Sequence, residues 1–300
     1  MNFRRFRSML SCTLPCAALF IAFPDAASAD PPVTCGDSYS GRGELTGDCA
    51  GDITVRGGSL NLRGFTVRGS VRCEGDSCEV FSDPPEGAIS GGGDWAAAGI
   101  DGGAAGVTVD GIQITGFGTG IAAGTVRASN SVIAGNAGHG IDARDRIELA
   151  NSAVTFNGHN GLHARIGSVS ITGSEITGNR ESGIRALKGV LVTGSSVLGN
   201  GADGVRNFSG VVLVEDSTIS GSGGHGVRND DSDCNPTGVL ELRNSAVEGN
   251  ALDPSCGETR ACADVVSCDF ARVSGSSRCG SSYRIQSGLP GESWRVCSSD

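Results

Sequence analysis

From about residue 107 to residue 250 the chain alternates β-branched and polar residues in runs of three or four. Glycine interrupts each run, and the pattern returns every 21 or 22 residues. A serine marks the register at Ser131, Ser152, Ser174, Ser195, Ser217 and Ser245. Two residues after it comes an apolar column of Ile133, Val154, Ile176, Val197, Ile219 and Val247. A second column, ten residues after, holds Ile141, Leu162, Ile184, Val205 and Val227. Five and three residues before it stand pairs such as Ile147 and Leu149, Val169 and Ile171, and Val190 and Val192. Each is a period-2 alternation, so each predicts a short strand with one face turned inward. Three such strands per 21–22 residues, none able to bury its apolar face alone, predict an all-β, single-stranded parallel β-solenoid in which one repeat is one coil.

A leucine-rich repeat has a similar period and is the competing architecture. Leucine is scarce here, 49 glycines are spread through the chain, and no stretch between the apolar columns has a 3.6-residue pattern that could form a convex-side helix. Five residues after the serine stand Asn136, Asn157, Asn179, Asn200, Ser222 and Asn250. Coils stack about 4.8 Å apart, so identical amides in successive coils can hydrogen-bond along the stack. These asparagines are therefore read as a structural ladder, and the glycines that precede most of them as the residues that turn the corner.

Segments such as ITGSEITGNRESGI (171–184), VTGSSVLGNGADGV (192–205) and VEDSTISGSGGHGV (214–227) carry a resemblance to right-handed parallel β-helix repeat proteins, the pectin-lyase-like group with pectate-lyase-like and NosD-like members. The resemblance is specific over 107–250. LNLRGFTVRG (60–69) looks like an opening coil, which places the start of the solenoid near Asp52, with looser excursions at 74–98 and 229–238. The resemblance implies a right-handed helix and a polysaccharide as the favoured ligand.

Charge and cysteine usage set the compartment. Arg4, Arg5 and Arg7 precede an apolar stretch from Met9 to Phe23, and Ala27-Ser28-Ala29 follows, so residues 1–29 read as a signal peptide. The apolar stretch is shorter than the roughly 20 residues a bilayer core requires, and no membrane insertion is expected. Removing that segment takes a net +2 from the formal charge of −10 and leaves −12, which disfavours nucleic acid as a partner. Ten of the twelve cysteines follow it, and an even number in an exported chain implies disulfides. Cys35 with Cys49 and Cys279 with Cys297 each enclose one end segment. They define an N-terminal cap (30–51) and a Cys-rich C-terminal cap (251–300) around a helix of residues 52–250. The pairing of Cys73, Cys78, Cys234, Cys256, Cys262 and Cys268 stays open. The expected product is a secreted monomer, extracellular or at the cell surface, with the periplasm as the alternative.

Catalytic constellations are sparse. Gly138-His139-Gly140 and Gly224-His225-Gly226 match one element of a polygalacturonase-like site, but both fall at a single repeat register where the turn already accounts for the glycines. No three acids share one column in adjacent coils, as a calcium-dependent lyase-like site would need. No metal or cofactor is expected. One outward column, eleven residues after the serine, does stand apart: Asp142, His163, Arg185, Arg206 and Arg228. Stacked guanidinium groups match carboxylate or sulfate groups in two-point contacts, so His163, Arg185, Arg206 and Arg228 are candidate ligand-binding residues. A solvated face relieved by Glu181, Asp203 and Asp230 is the plainer alternative. The functional expectation is a β-helix that binds or organises extracellular or cell-envelope polysaccharide. A lyase- or epimerase-like enzyme and a purely structural or adhesive protein are the alternatives.

Overall fold

A computed structural model describes residues 32–93, 97–229 and 240–250, together with the backbone of five strands between Val265 and Ser298. It is an all-β, right-handed parallel solenoid. No helix occurs among the described residues. Each coil of the regular region has three strands, as in Leu162–Ala164, Val169–Thr172 and Glu175–Thr177. The third strands of successive coils form an 11-stranded sheet, while the first and second strands lie in a 22-stranded one. Pairing is in register: Ile133 lies beside Val154, Val154 beside Ile176, Ile176 beside Val197, and Val197 beside Ile219. All are fully buried. At roughly 1.5–3 kcal/mol for each fully buried aliphatic side chain, these stacked columns are what holds the coils together.

The corners follow from backbone sterics. Before the serine column the chain passes through the left-handed region at every regular coil, with Asn130, Asn151, Asp216 and Asn244 at φ of 47–49° and Gly173 and Gly194 at 57° and 55°. The corner before the asparagine column uses Gly135, Gly178, Gly199, Gly221 and Gly249 at φ of 59–69°. Phe156 takes the same conformation at 55° and leaves its ring 69% exposed, a costly choice for a bulky residue.

Polar ladders finish the corners. Asn136, Asn157 and Asn179 each donate from Nδ2 to Oδ1 of the next asparagine at 2.9–3.0 Å. The same Oδ1 accepts the backbone N–H of the preceding rung at 3.0–3.1 Å. Nδ2 of Asn179, Asn200 and Asn250 also donates to the carbonyl of the apolar residue one coil back. The ladder breaks at Ser222, whose buried Oγ has no hydrogen bond. The serine column forms a parallel ladder of its own: Ser131 N–H donates to Ser152 Oγ, which donates to the Ala150 carbonyl.

The ends differ from the sequence expectation in detail. Parallel pairing begins before Asp52, since Ser38–Leu45 already stacks on Ile53–Asn61. Residues 74–98 are not a single excursion: Val71–Phe81 is one long strand that bends across two faces, and Gly87–Ser90 is another strand. Cys35–Cys49 is a disulfide, as expected, and Cys73–Cys78 forms a second across the bend of the long strand. Past residue 250 the parallel pairing persists through Val265–Ser267, Ala271–Ser274 and Arg278–Cys279. Arg295–Ser298 then pairs antiparallel on Ala271–Ser274 and covers that edge, which would otherwise invite end-to-end association. The side chains of Cys279 and Cys297, and the whole of residues 1–29, lie outside the described residues, as do Cys234, Cys256, Cys262 and Cys268.

Candidate functional site

The first strands of the coils present one outward column on a single face. Asp101, Ala122, Asp142, His163, Arg185, Arg206 and Arg228 are paired rung to rung without a register shift. Their flanking residues, such as Ile184 and Ala186 around Arg185, are buried, so the central residue must point outward. The expected column is therefore present, and it extends to Asp101, two coils beyond Asp142. Its character changes along its length: acidic at one end, imidazole in the middle and guanidinium at the other.

The three arginines are less alike than the sequence implied. Arg185 and Arg206 both lie over the Phe208 ring, 5.2 and 4.8 Å from its centre, and Arg206 Nε is 4.0 Å from Asp203. Glu181 does not relieve the arginines; it accepts a hydrogen bond from Asn160 Nδ2 at 2.7 Å. Asp203 has a backbone duty as well, accepting the N–H of His225 at 2.8 Å. Asp230 lies outside the described residues.

Beside the column, at its acidic end, is an open cleft of about 500 Å³ whose lining includes Asp101, Ala122, His139, Asp142, His159 and Arg165. Its residues come from four consecutive coils, those of Asp101, Ala122, Asp142 and His163. His139 and His159 lie on the turns that follow Asn136 and Asn157, while Asp142 and His163 lie on paired strands. Arg165, one strand end further on, reaches back across the coil boundary. Its Nε donates to Asp142 Oδ1 at 2.9 Å, and its Nη2 donates to Oδ2 in a second, shorter bond. The His139 ring lies 4.8 Å from that of His163 and 5.1 Å from that of His159. One nitrogen of His139, Nδ1, accepts the backbone N–H of Asn160 at 3.2 Å.

Burial and charge act on these groups in opposite senses. Burial alone would raise the Asp142 pKa, but the close His163 ring and the Arg165 fork reverse it and hold the carboxyl well below the usual range. His139 is pushed down to about 4, first by burial and then by the neighbouring His163, against the pull of Asp142. It is thus a neutral imidazole at physiological pH. His163 Nδ1 comes within 3.2 Å of Asp142 Oδ1. That nitrogen is buried and makes no hydrogen bond.

His163 is therefore the one candidate from the sequence that the structure brings into a cluster; Arg185, Arg206 and Arg228 continue along the face from it. The sequence places Asp142 in the outward column and His139 in a glycine-flanked turn, but it does not join them with His159 and Arg165 into one site. A signal was available: three of the chain's four histidines fall within 25 residues, inside two successive coils.

A family model described as "Right handed beta helix region" matches residues 110–270. This is a parallel β-solenoid with a cleft and a charged column on one outer face, and the chain belongs to that right-handed β-helix family. Among solved structures, "Crystal structure of Agl-KA catalytic domain" is similar at 12% identity and a TM-score of 0.41, covering 73% of this chain and 54% of that one. The chain thus spans about half the length of that structure. No curated protein sequence matches the chain.

Proposed function

We propose that this is a secreted β-helix protein that binds acidic polysaccharide along the face running from Asp101 to Arg228. The observation that carries the reading is the unshifted column of His163, Arg185, Arg206 and Arg228, one cationic or imidazole group per coil. Strands of adjacent coils lie about 4.8 Å apart, so the groups form a periodic row suited to a polymer that carries an anion on successive residues. Phe208 supports the row from the side and holds two guanidinium groups at fixed height. Two disulfides and the absence, among the described residues, of a helix long and apolar enough to cross a membrane are compatible with an extracellular setting.

Isothermal titration with an acidic uronate hexasaccharide and with a neutral hexasaccharide tests the reading. Wild type should bind the acidic ligand, more weakly as salt is added. Arg185→Ser, Arg206→Ser and Arg228→Ser combined should weaken it at least tenfold without lowering the melting temperature by more than a few degrees. Equal affinity in the triple variant would reduce the column to a solvated face.

A second reading, cleavage of the same polymer, is favoured by the cleft. There His139, Asp142 and Arg165 converge beside Asp101, which lies two coils from Asp142 across the small Ala122. Release of reducing ends or of unsaturated products from the acidic substrate would support it, and silence in both assays would dismiss it.

A further inference from the structure

We propose that His139, Asp142 and His163 bind a divalent transition-metal ion, of the zinc class, at the inner wall of the cleft. One ligand atom from each residue lies within 4.8 Å of the others. The set joins two paired strands and one turn of consecutive coils, so the solenoid itself fixes its relative placement.

The central observation is a buried imidazole nitrogen left without a hydrogen bond. His163 Nδ1 is buried and makes no hydrogen bond, yet it stands 3.2 Å from Asp142 Oδ1. A cation held between them would satisfy the nitrogen, while Asp142 Oδ1 already accepts from Arg165 Nε. Zinc–nitrogen and zinc–carboxylate bonds are each about 2.1 Å. Two donors 3.2 Å apart then subtend about 100° at the ion, close to the tetrahedral angle. His139 lies on a turn preceding its strand, and a modest swing of its ring would bring its donor in from the wider separation.

The surroundings suit such an ion. Arg165 takes one lone pair from each oxygen of Asp142, which orients the carboxylate and leaves its other lone pairs for the metal. Asn160 engages one nitrogen of His139 through its backbone N–H. Two imidazoles and one carboxylate favour zinc, copper, nickel or cobalt over calcium or magnesium, which prefer all-oxygen sites. His159 is exposed and its ring lies 5.1 Å from that of His139; it stands at the cleft side as a fourth donor. Should His159 stay out, the remaining coordination position opens toward the cleft, where a ligand carboxylate could enter. The ion is read from these side chains alone and does not depend on the glycan proposal.

Tag-free mature protein, stripped with chelator, should be titrated with Zn²⁺ alone by calorimetry and with Co²⁺ followed by its visible absorption. The expected result is one equivalent bound at micromolar or tighter dissociation constant, with a raised melting temperature. His163→Gln should weaken binding at least tenfold while preserving the β-type far-ultraviolet spectrum. His225→Gln, at the chain's fourth histidine and outside the cluster, should leave binding unchanged. No Zn²⁺ binding by the folded protein, equal affinity in His163→Gln, or binding of Ca²⁺ in preference to Zn²⁺ would each overturn the proposal.

Discussion

Exchanging asparagine and serine at two rungs of the ladder gives opposite results if the corner amides are structural. At Asn179 the side-chain oxygen accepts both the backbone N–H and the Nδ2 of Asn157, at 3.0 and 2.9 Å, and its own Nδ2 donates to the Val154 carbonyl at 3.1 Å. The serine of this column, Ser222, makes no side-chain hydrogen bond. Asn179→Ser would therefore leave the buried Asn157 N–H without an acceptor, at about 1–3 kcal/mol. It also removes an amide–carbonyl bond worth about 1 kcal/mol net, so the total is on the order of 3 kcal/mol. Ser222→Asn should do the reverse. It supplies an acceptor to Asn200 and a donor toward the Val197 carbonyl and the Asn250 oxygen, about 1 kcal/mol each, less about 1 kcal/mol for ordering the side chain. The net gain is about 1–2 kcal/mol. Room exists because the neighbouring column is glycine. A Cβ at Gly183 would lie 2.7 Å from Asn200 Nδ2, and Gly204 keeps the same space beside residue 222. Thermal unfolding reports the global effect. Hydrogen exchange of the Asn157 amide reports the local one, which matters because coils of a solenoid can open separately. An Asn179→Ser variant with an unchanged midpoint and a still-protected Asn157 amide would refute the ladder's energetic role.

Other perturbations probe separate parts of the structure. Ile176→Asp buries a carboxylate among stacked aliphatic side chains and should abolish cooperative unfolding, whereas Glu175→Asp on the exposed face should shift the melting temperature by no more than a degree or two. Phe156→Gly relieves a bulky residue at φ 55° and should stabilise the protein by about 1 kcal/mol in urea unfolding; a loss of stability would mean the ring packs usefully. Acid should destabilise the protein in two windows. His139 stays neutral in the fold down to about 4 while the unfolded ring protonates near 6.5, so the unfolded chain binds more protons and stability falls as pH drops between those values. After discounting for its residual exposure this loss is on the order of 2 kcal/mol. Asp142 adds its own loss only below the unfolded carboxyl value of 3.8. The groups facing His139 are His159, His163, Asp142 and Glu181; His139→Asn, which keeps an acceptor for Asn160, should flatten the upper window, and an unaltered pH profile would exclude His139 as its source.

The fold was readable because a solenoid writes its core into the sequence at fixed intervals. Ile133, Val154 and Ile176 recur in step because each must fill the same position in a stacked coil, and the asparagines recur because each closes the same corner. The outward column was readable for the same reason, since Asp142, His163 and Arg185 share one register. What stayed hidden lies on diagonals. Arg165 is two positions beyond His163 in its coil yet bonds to Asp142 in the coil before, and His139 meets His163 from a turn. No column contains both partners of either contact, so periodicity cannot announce them. Local geometry hid Phe208 as well: it follows Arg206 by two residues but supports Arg185 one coil earlier. At the N-terminal end the bend at Gly57 and Gly58 lets one strand serve two faces, which reads in sequence as a loss of register.

The proposed binding of acidic polysaccharide on one face is tested most directly by a crystal structure of the protein lacking residues 1–29 with an acidic oligosaccharide. The sugar should lie along the column from Asp101 to Arg228, its anionic groups within hydrogen-bonding distance of Arg185 and Arg206 and one end entering the cleft beside His139. Sugar bound on another face, or no bound sugar at a concentration that saturates binding in solution, would contradict it.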